Sequence, residues 1–290
     1  MPKVEGLISR ELYTIGPLAG VAWAAYIMEH YGIGCLPVID DGKLVGIVTS
    51  RDIRRAHPNR LVADAMTRQV ITISPTASLL EAQRLMVKHN VERLVVVQDE
   101  HVVGIITSSQ VSAEMAKYTD SLTGLYKAEI FCEKALEILK NSQEIAVIFV
   151  DLDNFGFINK EYGHIFGDRV LIRTAAVLKN LMDVKKEALC RYAGDEFAAA
   201  TCRSLTEAEK LAREMTSALA GENWPDKIEV TVSAGIAGGG CEELRRAHND
   251  ADYIIKYLVN LASLASSRAK TIKQPVVVAR ACATEFLPGA

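Results

Sequence analysis

Three acidic side chains stand at the ends of apolar segments, where two adjacent carboxylates are unexpected. Asp151 follows the apolar run 146–150, and Asp195 and Glu196 lie at the tip of a hairpin predicted at 189–200. Ligand sites favour the carboxyl ends of strands in α/β sheets, so we expect these carboxylates to converge. Mg2+ takes oxygen ligands and keeps water and substrate phosphate in its shell. The pattern therefore indicates a centre for phosphoryl or nucleotidyl transfer.

The elements that must position these acids alternate between helix and strand from residue 120 onward. The run 146–150 is short and continuously apolar, as in a buried central strand. Helical spacing covers 130–139 and 170–178, and a further strand, at 229–237, is followed by glycines. Ala193 and Gly194 suit the tight turn of the hairpin. The second half is therefore predicted to be an α/β (α+β) domain with a central sheet flanked by helices.

The first part of the chain contains an internal repeat, whose two copies align without a gap when Gly46 is placed on Gly104. Each copy predicts a strand, a polar turn, a second strand that ends in Gly-x-x-Thr, and the start of a helix. Helical segments at 21–31 and 79–90 precede the two copies, and Ser74 and Pro75 are predicted to begin the second of these. One copy is too small to bury its own sheet face, so the two are expected to pack together.

Composition bounds the class of protein. The chain has 290 residues, which favours two domains, with 49% hydrophobic and 24% charged residues and a net charge of -3. That balance is typical of a soluble globular protein and argues against nucleic acid as a partner. Six cysteines without a Cys-x-x-Cys pair indicate reduced thiols and a cytoplasmic location. The longest apolar run, 18–28, is too short to span a membrane.

The repeat resembles a pair of CBS domains, a Bateman module, over residues 1–116, with copies at about 1–58 and 59–116. A motif Gly-x-x-Thr-x-x-(Asp or Gln) carries the resemblance, as Gly46, Thr49, Asp52 and as Gly104, Thr107, Gln110. The resemblance implies that the Thr hydroxyl touches phosphate or ribose of an adenine nucleotide (AMP, ADP or ATP). The Asp carboxylate would accept from both ribose hydroxyls. The alternative is that Thr49 and Asp52 only cap a helix.

From about residue 119 to 280 the chain resembles the GGDEF family, the diguanylate cyclases, and we assign 117–290 to this domain. The motifs are DSLTGL (120–125), DLDNF (151–155), GHIFGD (163–168), RYAGDEF (191–197) and TVSAGIA (231–237). The resemblance implies a polymerase-palm-like fold, with Mg2+ or Mn2+ as cofactor. It also implies that two GTP, one per subunit, are joined into cyclic di-GMP with release of pyrophosphate. Since each 3′-hydroxyl attacks the other GTP, a homodimer is expected.

The resemblance assigns site residues by their position in these motifs. Asp151 and Glu196 would hold the metal, and Asp195 would deprotonate or orient the attacking hydroxyl beside Glu196. Asp153 is either a ligand or structural. The expected GTP contacts are Asn159, Asp168, Ala193, Gly194 and Lys270. Among them an amide and a carboxylate suit the edge of guanine, namely Asn159 and Asp168.

The sequence departs from the family pattern in several places. Ala193 occupies the position of the first glycine of the signature. Gly156 occupies the position of a lysine, and Lys160 that of an aspartate. Alanine costs about 1 kcal/mol if that backbone needs a positive φ. The basic residues that bind the triphosphate have two possible registers: Val259 and Ser263, or a position near Arg268, Lys270 and Lys273. The product-inhibition motif falls on Val184 to Glu187 and is absent, so feedback through it is not expected.

Three functions stay open at this point. The first is a diguanylate cyclase regulated by adenine nucleotide at the CBS pair. The second is a non-catalytic protein that binds GTP and signals through a partner. The third is an adenylate sensor whose second domain is a dimerisation scaffold. A helix predicted at 111–118 joins the two parts without a flexible linker, which favours a stiff connection.

Overall fold

Two compact units, Met1–Lys117 and Tyr118–Ala290, make up the chain. The computed structural model describes residues 2–9, 11–183, 186–224, 228–248 and 250–280. Both units mix helices with strands, so the predicted α/β class is confirmed. Among the described residues, no helix is long and apolar enough to cross a membrane.

The first unit repeats one arrangement of helix, hairpin and helix. Its elements are α1 (Val21–His30), β1 (Cys35–Asp40), β2 (Lys43–Thr49), α2 (Ser50–Arg55), α3 (Val62–Ala65), β3 (Thr72–Ile73), α4 (Leu79–His89), β4 (Arg93–Gln98), β5 (His101–Thr107) and α5 (Ser108–Lys117). A short 3-10 helix, Val4–Leu7, precedes them.

The two hairpins of this unit are built alike, down to an irregularity in the same place. In β1–β2 the register shifts between Val38 and Ile39, and in β4–β5 it shifts between Val96 and Val97. These two positions coincide when the copies are aligned on the glycine of their shared motif. The internal repeat predicted from sequence is therefore present in the backbone.

The start of α4 differs from the prediction. Its N-cap is Ser78, whose hydroxyl accepts from the backbone N–H of Glu81, three residues later. Ser74 and Pro75 lie in a turn before the helix, where the Ser74 hydroxyl accepts from the Thr76 N–H. The prediction was wrong because a second serine stands closer to the apolar, helical run and makes the cap.

The second unit is a five-stranded sheet with helices on both faces. Its elements are α6 (Ala128–Asn141), β6 (Glu144–Leu152), α7 (Phe155–Tyr162), α8 (His164–Asn180), β7 (Ala188–Ala193), β8 (Glu196–Thr201), α9 (Leu205–Ala220), β9 (Val232–Gly240), α10 (Cys241–Ala247), α11 (Ala251–Ile272) and β10 (Val276–Arg280). The strand order is β10-β9-β6-β8-β7, and β6 runs antiparallel to both of its neighbours.

Alternation along the central strand decides which face each side chain joins. Ile148 and Val150 pack into the apolar cluster that contains residues of α8 and α9. Val147 and Phe149 pack into the opposite cluster, with residues of α6 and α11. Asp151 continues the second series, so it lies on the face that α11 covers.

The limits of strand β9 differ from the prediction. β9 spans Val232–Gly240, so it begins three residues later than predicted and continues through the glycines that follow residue 237. Close packing explains why: a Cβ on Gly238 would lie 2.3 Å from the carbonyl oxygen of Ile145. A Cβ on Gly235 would lie 2.0 Å from the carbonyl oxygen of Ala262 on α11. The glycines are therefore part of the sheet, where only a missing side chain permits these approaches.

Candidate functional site

Two of the predicted metal ligands face each other across neighbouring strands. Asp151 of β6 is the direct partner of Glu196 in β8. Side chains at directly opposite positions of an antiparallel pair lie on the same face, with Cβ atoms about 5 Å apart. The structure therefore brings these two carboxylates together, as the sequence predicted.

A lysine from helix α11 completes this group. Lys270 Nζ lies 2.7 Å from Asp151 Oδ1 and donates to the carbonyl oxygen of Leu152 at 3.1 Å. Of the two registers considered for the basic motif, the one containing Lys270 is therefore found at the acids. In the other register, Val259 is buried in the apolar cluster beneath α11, and no basic side chain stands there.

The carboxylates perturb one another. Burial raises the pKa of Asp151, Lys270 lowers it by hydrogen bonding and charge, and Asp195 and Asp153 raise it, with a net increase. Burial also raises the pKa of Glu196, as do the charges of Asp151 and Asp195, against the effect of Lys270. Negative charge is thus concentrated where one ammonium only partly compensates it.

The hairpin between β7 and β8 has a two-residue turn, Gly194-Asp195. Gly194 has a φ of 42°, whereas Ala193 is not among the residues with positive φ. Ala193 pairs with Glu196 as the last residue of its strand. The departure from the family glycine therefore causes no backbone strain. The Asp195 carbonyl accepts from the Leu152 N–H at 3.4 Å, which ties the turn to the end of β6.

Arg191 is a site residue that the sequence analysis quoted but gave no role. Its Nε donates to the carbonyl oxygen of Gly194 at 2.8 Å, and its Nη1 lies 3.1 Å from Asp120 Oδ1. Asp120 also accepts from the Thr123 N–H and hydroxyl. One guanidinium thus joins the acidic turn to the first loop of the unit. The signal in the sequence was weak: an arginine three residues before Gly194, and an aspartate far upstream.

The Asp153 carboxylate is engaged in hydrogen bonds within the unit. Its carboxylate accepts from the Thr231 hydroxyl at 2.8 Å and from the Ser233 hydroxyl at 2.9 Å. Thr231 directly precedes β9 and Ser233 lies at its start. These bonds fix the loop after β6 to the neighbouring strand, next to Asp151.

One of the two predicted guanine contacts, Asn159, packs closely against a glycine. A Cβ on Gly167 would lie 1.9 Å from Asn159 Oδ1. The Asn159 amide therefore packs directly against Gly167 of α8, the residue before Asp168. Asp168 itself is exposed. Helix α8 begins after Gly163, whose φ of 83° favours glycine.

The donor set suits a hard divalent cation that shares its shell with substrate. Asp151 and Glu196 supply carboxylate oxygens side by side, and the Lys270 ammonium already occupies a cation position beside Asp151. Across the described part of the chain, no group of three His, Cys, Asp or Glu residues converges to hold a metal. Mg2+ commonly uses one or two carboxylates and takes its other oxygens from water and phosphate.

The first repeat has its motif residues at a cleft of about 790 Å³. Asp52 Oδ2 accepts from the N–H and the hydroxyl of Thr49, at 2.9 and 2.7 Å, in a capping box at the start of α2. The helix-cap alternative is therefore realised, and the same two residues also line the cleft. Two cationic side chains of α2, those of Arg51 and Arg54, also line the cleft.

The second repeat reproduces this geometry with an amide. Gln110 Oε1 accepts from the N–H and the hydroxyl of Thr107, both at 2.9 Å. Thr107 and Gln110 line a smaller cavity of about 300 Å³. No arginine of α5 stands at this cavity, because Ser109 and Ser112 occupy the positions of Arg51 and Arg54.

The remaining predictions concern departures from the family. Beside Gly156 an added Cβ would meet no atom within 4 Å, so a longer side chain is not excluded by packing.

Val184 and Lys185 of the product-inhibition segment lie outside the described residues, as does Cys282. Glu187 of that segment is buried and accepts from Thr201 and Arg203. The other five cysteines are free thiols.

Comparison with protein families identifies both parts of the chain. The profile "Diguanylate cyclase, GGDEF domain" matches residues 117–257, and the CBS domain profile matches 4–59 and 62–117. The crystal structure of the coiled coil and GGDEF domain of DgcB from Caulobacter crescentus, in complex with c-di-GMP, is similar with a TM-score of 0.50 and 19% identity. The similarity covers 58% of this chain and 88% of that one. It shows the fold.

Curated relatives match up to about half of the chain, as the 50% matched by a Thermoplasma acidophilum dehydrogenase illustrates. Inosine-5'-monophosphate dehydrogenase of Korarchaeum cryptofilum is 38% identical over 111 residues, which are 38% of this chain and 23% of that protein. The chain spans 17% to 32% of the length of four such dehydrogenases that it matches. The CBS domain-containing protein YhcV of Bacillus subtilis is 30% identical over 112 residues, 37% of this chain and 80% of that protein. The chain belongs to the CBS domain-containing proteins and carries a GGDEF domain after its CBS pair.

Proposed function

We propose that this protein is a diguanylate cyclase. It joins two GTP molecules: each ribose 3′-oxygen forms a bond to the α-phosphorus of the other GTP, and each bond to pyrophosphate breaks. The products are one cyclic di-GMP and two pyrophosphates, and each attacking hydroxyl gives up one proton. The observation that carries the proposal is the convergence of Asp151, Glu196 and Lys270 at the end of the central strand.

Each residue of this site has a role that its position suits. Asp151 and Glu196 hold Mg2+ or Mn2+, which when bound neutralises phosphate charge. Asp195, in the turn, accepts or orients the proton of the attacking hydroxyl. Lys270 neutralises the triphosphate, and the backbone of Ala193 and Gly194 lies open to it. Two further residues recognise guanine, Asn159 and Asp168.

The reaction requires two chains, because each chain presents one such set of residues. A homodimer is therefore part of the proposal. Since GTP is a cytoplasmic nucleotide, we also assign the protein to the cytoplasm. We assign residues 1–116 to the CBS pair and 117–290 to the cyclase domain.

Turnover tests the proposal directly. Purified protein is incubated with GTP and Mg2+ or Mn2+, and the products are separated by chromatography. We expect cyclic di-GMP and pyrophosphate from the natural sequence, none from Glu196→Ala, and unchanged yield from Glu214→Ala, a matched change at an exposed glutamate. GTP consumption without cyclic di-GMP, or equal product from Glu196→Ala, would reject the assignment.

We further propose that an adenine nucleotide (AMP, ADP or ATP) binds at the CBS pair and regulates the cyclase. Thr49 and Asp52 contact it in the larger cleft, and Arg51 and Arg54 favour its phosphates. Thr107 makes the corresponding contact in the smaller cavity. Calorimetry should show binding that Asp52→Ala abolishes, and turnover should change when the nucleotide is added. Binding unaffected by Asp52→Ala would remove this site from the proposal.

One observation favours a second function, a protein that binds GTP without cyclising it. Gly156 stands where the family has a lysine after the DxDxF motif, so this position supplies no cation. GTP binding by calorimetry without any product in the turnover assay would support this second function over the first.

A further inference from the structure

One arginine of the first unit lines both of its cavities. Arg93, the first residue of β4, lies in the wall of the larger cleft, of about 790 Å³, and in that of the smaller cavity, of about 300 Å³. Of the described residues that line either cavity, Arg93 alone belongs to both walls. Its side chain is 29% exposed, so the guanidinium can be reached from solvent.

The internal repeat shows that this sharing does not follow from the fold. When the two copies are aligned, the walls of the two cavities correspond, for example Gln69 with Glu11. The counterpart of Arg93 is Cys35, which lines the smaller cavity and does not line the larger cleft. The Arg93 side chain therefore reaches into a cavity that its copy of the repeat does not otherwise share.

A glycine makes room for this side chain. A Cβ on Gly34 would lie 2.3 Å from Arg93 Nη2 and 3.1 Å from the carbon of the guanidinium. Gly34 is not among the glycines with positive φ, so its backbone conformation does not require glycine. The guanidinium therefore occupies the space that a side chain at position 34 would fill.

The charges of the two walls differ. Arg51 and Arg54 stand in the wall of the larger cleft together with Arg93. In the smaller cavity, Arg93 is the one cation among the described lining residues, and Glu11 is the one carboxylate. If the guanidinium left the smaller cavity, the described wall would keep a negative charge and no positive one. An anion would then be disfavoured there.

The guanidinium is held loosely enough to move. Its ion pair with Glu92 is 3.6 Å long, and the Glu92 side chain is 70% exposed, so this pair contributes little. A phosphate group offers a guanidinium two parallel charge-assisted hydrogen bonds, which are stronger. A phosphate in the larger cleft therefore competes well for Arg93.

We propose that Arg93 is a cation shared between the two sites, and that a phosphate group bound in the larger cleft draws its guanidinium away from Gly34. An anion in one cavity then weakens the binding of an anion in the other, and this coupling is reciprocal. The inference deepens the proposed nucleotide regulation and rests on it for the phosphate-bearing ligand.

Two substitutions at the same contact should have opposite effects on phosphate binding. Gly34→Ala displaces the guanidinium toward the larger cleft before any ligand arrives, so it should tighten binding about threefold or more. Arg93→Gln removes the cation and should weaken binding at least about 10-fold. Gly16→Ala, where an added Cβ meets no atom within 4 Å, is the control and should change nothing.

Calorimetry with inorganic pyrophosphate, and in parallel with ATP, measures these dissociation constants on the full-length chain. All chains carry Lys270→Ala and the buffer contains EDTA, so that the second unit does not hold the probe. A contact that is only structural predicts weaker binding for both substitutions. Opposite signs support the shared cation.

A second measurement uses the natural sequence alone, with Cys35 as the reporter. Burial raises the pKa of the Cys35 thiol, and the charge of Arg93 opposes this effect. The rate of Cys35 alkylation by iodoacetamide, followed by mass spectrometry across the alkaline pH range, gives this pKa. Pyrophosphate should raise it in the natural chain, because Arg93 leaves the thiol, and should not change it in Arg93→Gln.

The outcomes separate this inference from the proposed function. Absence of pyrophosphate binding, weaker binding by both variants, or a Cys35 pKa that pyrophosphate leaves unchanged would overturn the shared cation. ATP binding that Asp52→Ala abolishes, but that Gly34→Ala and Arg93→Gln both weaken, would keep the nucleotide site and reject the inference. The expected pyrophosphate results without binding of any adenine nucleotide would support the inference and reject that ligand.

Discussion

At the scale of single residues, the carboxylates at the end of the central strand lie close enough to repel one another. Asp151 and Glu196 are opposite one another, and Asp195 lies next to them in the turn. Burial and these neighbouring charges raise the pKa of Asp151 and of Glu196. An arrangement that disfavours its own ionised state is typical of a site built to receive a cation.

Glu196→Gln should therefore make the metal-free protein more stable while it removes activity. Glutamine deletes a like charge opposite Asp151, which we expect to raise the free energy of unfolding by about 0.5 kcal/mol at pH 7.5 in EDTA. Because the pKa of Glu196 is raised on folding, the penalty develops as the pH rises through that value. The gain should disappear below about pH 4, where the glutamate is protonated.

Urea unfolding of both proteins at the two pH values measures this difference, with Glu214→Gln as an exposed control. A Glu196→Gln chain less stable than the natural one at pH 7.5 would show that the carboxylate is stabilising, contrary to this account.

Lys270→Ala should lower turnover by at least about 100-fold, because it removes the cation beside the phosphate-binding position. Arg268→Ala removes an exposed cation from the same helix two residues earlier and should leave the rate near that of the natural chain. Initial rates at saturating GTP and calorimetry of GTP binding measure both. Equal losses in the two variants would mean that net charge, and not the position of Lys270, matters.

The sequence predicted those site residues that a short segment is enough to identify. Asp195 and Glu196 follow from a hairpin pattern confined to 189–200, and Asp151 ends an apolar run. Lys270 is different: the long helix before it allowed two registers, and only the packing of α11 on β9 selects one. Arg191 was quoted but unassigned, because its partner Asp120 lies far upstream in the chain.

At the scale of elements, one ion pair links the acidic hairpin to the loop before α6. Asp120→Asn should lower the free energy of unfolding by about 2 kcal/mol at pH 7, since Arg191 and Thr123 both donate to the carboxylate. Burial alone would raise the pKa of Asp120, but these hydrogen bonds outweigh it and the pKa is lowered from 3.8. The stabilisation is thus present above that ordinary value and is lost as the pH falls through the lowered one.

Denaturant unfolding between pH 7 and pH 2 tests this dependence. Glu209→Gln breaks an exposed ion pair with Arg213 on α9 and should change stability by less than about 0.5 kcal/mol. A deficit of Asp120→Asn that persists unchanged at pH 2 would argue against an ionic contribution.

The packing of α11 on β9 makes a second prediction at this scale. Gly235→Ala should displace the helix, because its Cβ would lie 2.2 Å from the Ser266 backbone nitrogen. We expect a loss of stability of about 1–3 kcal/mol and a lower turnover, as Lys270 leaves Asp151. Gly239→Ala on the same strand meets no atom within 4 Å and should change both little. Thermal unfolding and initial rates compare them, and similar effects from both would count against the close approach.

Element boundaries were predicted least well where side-chain packing sets them. The hairpin, the central strand and the amphipathic helices follow from apolar periodicity. The limits of β9 do not, because glycine is uncommon inside strands. In β9, Gly235 allows a close approach of α11, and Gly238 allows a close approach of β6. The cap of α4 was misassigned because two serines precede the helix, and only Ser78 accepts from an N–H of the helix, that of Glu81.

At the scale of the whole molecule, a reaction that needs two chains should show interference between active and inactive copies. Mixing equal amounts of natural and Glu196→Ala protein under exchange conditions pairs half of the natural chains with an inactive partner. Turnover per natural chain should then fall to about half. The measured rate against the mixing ratio gives the answer, and a mixture with the fully active Glu214→Ala chain, in which no natural chain loses turnover, is the control. A rate per natural chain independent of the mixture would mean that one chain suffices.

The late position of Lys270 in the chain has a consequence for biosynthesis. Asp151 and Glu196 are translated well before the lysine that neutralises them. At ordinary synthesis rates the stretch from Glu196 to Lys270 takes about 4 to 15 s. During that interval the emerging sheet lacks both α11 and the edge strand β10, and its carboxylates repel one another without a counterion. The growing polypeptide therefore cannot finish this centre before helix α11 has left the ribosome.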